Sequence, residues 1–126
     1  MSAREPWIEQ AKYDLEPARA MLQAGRYLYV VFCCQQAVEK ALKALIVARS
    51  GETPPRLHHL ARLAERAGLS LDETKTEQFT RLTSYYIPAR YPGEMPAPSA
   101  AADEALAEET LQATEGIVEW LLNLMT

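Results

Sequence analysis

The stretch YLYVVFCCQQAVEKALKALIVARS, Tyr27–Ser50, decides the fold. Its residues read as one long helix. With Gln36 at the zero of a helical wheel, Gln35, Glu39, Lys40 and Lys43 fall within about 100° to one side and about 40° to the other. Val30, Val31, Cys34, Ala37, Val38, Ala41, Leu42, Ala44 and Leu45 make nearly all the rest apolar or small, while Phe32 and Val47 project into the polar sector. An apolar arc this wide exceeds what one neighbouring helix can cover. The helix is therefore central to a bundle, or it also forms a subunit interface. Glu39 and Lys43 stand four apart, in the order that favours an ion pair.

Four further helices account for most of the remaining chain. One runs from about Pro6 to Ala24, with Ile8, Ala11, Leu15, Ala18 and Leu22 recurring at three and four residues. Pro6 suits a first turn. Pro17 falls inside the stripe and predicts a kink, since it removes one backbone hydrogen bond; Gly25 ends the helix. After the breaker loop around Pro54 and Pro55, a short helix is predicted over His58–Ala67, with Leu60, Leu63 and Ala64 inward and Gly68 as its stop. The next spans Asp72–Tyr86, capped by Asp72 and striped by Phe79, Leu82 and Tyr86. The last spans Ala101–Leu124, with acidic early turns that suit the helix dipole and an inner face of Leu106, Ala113, Ile117, Trp120, Leu121 and Leu124. No strand signal competes with these periods. The fold class is all-α, an antiparallel bundle.

Size and composition bound what such a bundle does. The 126 residues make one domain, 1–126, long enough to bury roughly two-thirds of its unfolded surface. A formal charge of -4 argues against a general basic footprint for nucleic acid, though not against a local basic patch. No signal-peptide pattern opens the chain, and no apolar run reaches the ~18 residues of a membrane span. A cytoplasmic protein without a membrane segment is expected. Adjacent Cys33 and Cys34 show no zinc spacing and read as buried thiols, or else as partners in a cross-subunit disulfide.

Ile87–Ala100 holds four of the eight prolines and is a loop of about 14 residues, long enough to be functional or disordered. The segment Tyr85–Pro92, Tyr-Tyr-Ile-Pro-Ala-Arg-Tyr-Pro, concentrates its chemistry. Arg90 can grip a phosphate with both arms of its fork, and Tyr85, Tyr86 and Tyr91 can supply stacking faces. The plainer reading packs the tyrosines onto the bundle and pairs Arg90 with a carboxylate such as Glu39. His58 and His59 can cap the short helix, donate a hydrogen bond, or act as acid or base, one turned inward and the other outward. Lys40 and Lys43 read as a solvated face, or as phosphate contacts shared with Arg90. No metal or cofactor site is expected, because ligand spacings and phosphate-cradling motifs are missing.

Ala11-x-x-Asp14-Leu15, then Gln36-Ala37-Val38-Glu39-Lys40-Ala41-Leu42-Lys43-Ala44, then His58-x-Leu60-x-x-Leu63, then Tyr86-x-x-x-Arg90-Tyr91-Pro92 together resemble the HEPN domain (higher eukaryotes and prokaryotes nucleotide-binding). The resemblance spans nearly the whole chain. It implies an up-and-down bundle of four to five helices that forms a homodimer, in a stand-alone prokaryotic protein. It also implies a minimal nucleotidyltransferase partner in a toxin–antitoxin-like pair. Nucleotide or RNA binding is the implied activity, with Arg90, Tyr91, Lys43, Lys40, His58 and Tyr86 as the matching site residues. In some such pairs the partner adds nucleotide units to a tyrosine, for which Tyr91 is the candidate here and Tyr86 the next. Many members are metal-independent ribonucleases with a motif of arginine, four to six residues, then histidine. No histidine follows Arg90, so that motif is absent. A ribonuclease toxin built instead on His58 and Arg90 is the alternative, with histidine as base toward a 2′-hydroxyl and arginine stabilising the phosphorane.

Overall fold

A computed structural model describes residues 3–86 and 103–126. Among them five helices and no strand occur: α1 (Glu5–Gln23), α2 (Tyr27–Ser50), α3 (Leu60–Arg66), α4 (Glu73–Ser84) and α5 (Glu104–Asn123). Arg90 and Tyr91 lie outside the described residues.

The five form an all-α helical bundle with α2 at its centre. Three residues, Ala24–Arg26, turn α1 back onto α2 as an antiparallel hairpin, helped by Gly25 at φ 76°. At its other end α2 stops at Gly51, whose left-handed φ of 73° lets its N–H donate to the Val47 carbonyl at 2.8 Å. α2 packs on α1, α3, α4 and α5, so the breadth of its apolar arc is explained inside one chain. Val30, Val31, Cys34, Ala37, Val38, Ala41, Leu42, Ala44 and Leu45 are completely buried. Ala11 and Ala18 of α1 are buried as fully as Ala37, Ala41 and Ala44 of α2. Side chains this small let two helix axes approach closely. Pro17 sits inside α1 without dividing it.

Three boundaries move by two residues or more from the sequence expectation, two of them for a capping reason. The short helix starts at Leu60 rather than His58, because His59 takes the N-cap with Nδ1 accepting from the Arg62 N–H at 3.4 Å. α4 ends at Ser84 rather than Tyr86; its expected cap, Asp72, is in place, with Oδ1 accepting from the Lys75 N–H at 2.7 Å. α5 starts at Glu104, after Asp103 accepts from the Leu106 N–H at 2.8 Å. The inner face of α5 is also turned from the expected one. It buries Ala107, Thr110, Leu111, Thr114, Ile117, Val118 and Leu121, whereas Leu106, Ala113 and Trp120 are half-buried and Leu124 is 38% exposed. Small Ala107 and two threonines bring the α5 backbone against α2. The bulky Trp120 sits at the edge, beneath the Lys75 ammonium at 4.7 Å from its ring centre.

Leu42 is fully buried where the helices converge. Leu42→Ala is expected to cost about 2–5 kcal/mol, read as a lowered urea midpoint at unchanged slope. Leu124→Ala, at the exposed end of α5, is expected to stay within about 0.5 kcal/mol.

Candidate functional site

The polar strip of α2 expected to face solvent is covered instead. Gln35 is completely buried, Glu39 is 2% exposed and Lys43 is 6% exposed. α1 supplies part of the cover. Its Trp7 lies under the Lys43 ammonium, 5.6 Å from ring centre to Nζ, and its Asp14 pairs with Lys40 at 3.5 Å. The segment before α3 supplies the rest, through His58.

Burial on this scale is tolerable only if each polar atom finds a partner. Lys43 Nζ donates to Glu39 Oε2 at 3.1 Å. The Gln35 amide donates to Glu39 Oε1 at 3.1 Å and to the His58 carbonyl at 3.0 Å. Gln36 donates to Gln35 Oε1 at 2.6 Å, and Lys40 donates to Gln36 Oε1 at 3.2 Å. The strip is thus one hydrogen-bonded chain from Asp14 to His58, and none of its side-chain nitrogens or oxygens is buried without a partner.

His58 Nδ1 lies 2.9 Å from Glu39 Oε1. A carboxylate only accepts, so Nδ1 carries the proton, and in the neutral ring Nε2 holds the free lone pair. The ring stacks on Tyr86 with centres 4.3 Å apart and planes 16° from parallel, and Tyr86 in turn stacks on Phe32 at 5.9 Å. The carboxylate sets the rotation of the imidazole and the phenol sets its plane, while 47% of the side chain stays exposed. Chemically this is an oriented, reachable imidazole, able to donate to or accept from a ligand or to take a proton.

Of the six sequence-derived site residues, His58 and Tyr86 come together. Lys43 lies behind them with its charge taken by Glu39, and Lys40 is half-buried on Asp14. The solvated-face reading of the two lysines is therefore corrected: α1 closes over them. Both Glu39 oxygens are engaged by Lys43, His58 and Gln35. The sequence reading named Glu39 as an ion-pair partner and missed its hold on His58. Its Gln35–Glu39–Lys43 spacing, every fourth residue, was the available signal. The histidine pair divides its work: His59 caps α3 while His58 turns to Glu39. Among the described residues no three His, Cys, Asp or Glu side chains are placed to hold a metal ion, and no helix is long and apolar enough to cross a membrane.

The two thiols are chemically quiet. Burial pushes Cys34 up from 9.0 to about 12, opposed by the Thr114 hydroxyl against the thiol, and burial followed by the Asp14 charge raises Cys33.

The sequence matches the family model described as HEPN domain over residues 4–124. Two solved structures share the fold. TT1696 from Thermus thermophilus is 33% identical with a TM-score of 0.84, the match covering 98% of each chain. ST0689, an archaeal HEPN homologue, is 31% identical with a TM-score of 0.79 over 100% of each chain. No curated protein matches the sequence.

Two expectations follow. Glu39→Leu leaves the Lys43 ammonium buried without its anion and is expected to cost about 3–5 kcal/mol in a denaturant titration, whereas Glu39→Leu with Lys43→Met is expected to recover most of that loss. The Cys34 thiol favours the folded state fully below pH 9.0, and that contribution drains away as pH rises toward about 12. The alkaline fall in melting temperature is therefore expected to be shallower in Cys34→Ala.

Proposed function

The chain belongs to the HEPN domain family, and from that premise we propose that it is a homodimeric binding module. It holds a phosphate-bearing ligand, a nucleotide or RNA, beside His58, and it pairs in the cytoplasm with a minimal nucleotidyltransferase as a toxin–antitoxin-like module. The observation that carries this reading is the state of His58. Its ring is half exposed, oriented by Glu39, and stacked on Tyr86, four residues before Arg90 in sequence. An imidazole edge and an arginine fork suit a phosphate, and the stacked aromatics suit a base. In this reading Lys40 and Lys43 serve the site from behind, as the cations that hold its scaffold together. Tyr91, and after it Tyr86, is the proposed acceptor of nucleotide units from the partner.

ATP, GTP and a short RNA titrated into the purified protein by calorimetry test the ligand. Binding by wild type is expected to weaken at least tenfold, about 1.4 kcal/mol, in His58→Ala and in Arg90→Ala. No binding of any of the three overturns the ligand part and leaves partner docking. The docking part fails in turn if the protein and its nucleotidyltransferase do not co-elute.

One contact favours a second reading, a metal-independent ribonuclease. The 2.9 Å hydrogen bond from His58 Nδ1 to Glu39 prepares Nε2 to take a proton from a ribose 2′-hydroxyl, with Arg90 stabilising the phosphorane. RNA cleavage in the presence of a chelator, reduced about 100-fold or more in His58→Ala, is the expected signature. Intact RNA together with unarrested growth on expression removes this reading.

A further inference from the structure

α4 and α5 both lie on α2, yet their backbones do not pack against each other. Between them is an open cleft of about 160 Å³. Leu82 and Ile117 give it apolar walls, and fully buried Thr114, whose hydroxyl lies against the Cys34 thiol, lines it too. Arg81 lines the cleft and forms no ion pair among the described residues, although Glu77 stands one turn before it on the same helix. Glu77 and Glu109 line it too. The Tyr85 phenol is raised chiefly by burial, with Arg81 opposing and Glu109 adding, so a cation and an anion both act on this one hydroxyl.

The structure assigns this cleft as a second binding site, for a small aliphatic amino acid. Its volume is below the ~300 Å³ at which pockets for drug-sized molecules begin, which suits a smaller ligand. A lining with a guanidinium that forms no ion pair among the described residues, and with two carboxylates, meets both charges of a zwitterion and repels a polyanion. The ligand carboxylate takes the Arg81 fork, its ammonium takes Glu77 or Glu109, and its hydrocarbon lies on Leu82 and Ile117. This site is separate from the His58 ligand and does not depend on it.

The test titrates L-leucine into the full chain, followed by amide and arginine side-chain NMR shifts. Isovalerate and isoamylamine serve as the carboxylate-only and amine-only controls. Saturable shifts confined to α4 and α5 are expected, weakened at least tenfold in Arg81→Gln and for either control. Ala113→Leu, which fills the cleft from α5, is expected to abolish them. Shifts that do not saturate, or that survive both substitutions, overturn the site. Isovalerate binding as tightly as leucine overturns its assignment to an amino acid.

Discussion

A carboxylate with 2% of its surface exposed organises this molecule. Glu39 sits in the middle of the most buried helix, where an ionised group without partners is not tolerated. Its two oxygens draw in Lys43 from the same helix, the Gln35 amide, and the His58 ring from the segment before α3. Charges taken so far from water return little net stability, because desolvation offsets their attraction. What the arrangement supplies is geometry: Gln35 holds the His58 carbonyl and Glu39 holds its ring, which ties the segment before α3 to α2.

That constraint links packing to chemistry. α1 closes over the lysines with Trp7 and Asp14, which keeps the ammonium of Lys43 dry and therefore committed to Glu39. A carboxylate so held is fixed in turn and presents one oxygen to His58. Tyr86, two residues past the end of α4, closes the stack over the imidazole. The His58 ring is reachable, while the carboxylate that aims it is buried and the Tyr86 ring stacked on it is half-buried.

The fold was legible in local pattern. The 3.6 period of Ala11, Leu15 and Ala18, the width of the α2 arc, and the cap at Asp72 all lie within single helices, where spacing alone determines which side chains share a face. The reading failed where a small polar residue replaced a large apolar one. Thr110 and Thr114 face inward on α5, and Trp120 stays at the edge, because close approach to α2 needs small side chains more than it needs hydrophobic ones. His58 was named as a candidate, but not the atom that holds it, since Glu39 lies 19 residues away.

The sequence by itself determined the five helices, the all-α class, the family and the central place of α2, because each follows from periodicity, capping and a run of matching residues along one stretch of chain. The Glu39–Lys43 ion pair was also legible, from its spacing of four. Only the tertiary structure decided that the polar strip of α2 is buried, and that His58 is aimed by a carboxylate and stacked on Tyr86. The physical reason is that burial and hydrogen-bond partnership are properties of pairs of elements. A helical wheel marks a polar face, but whether water or α1 lies against it depends on how residues far apart in the chain come to pack.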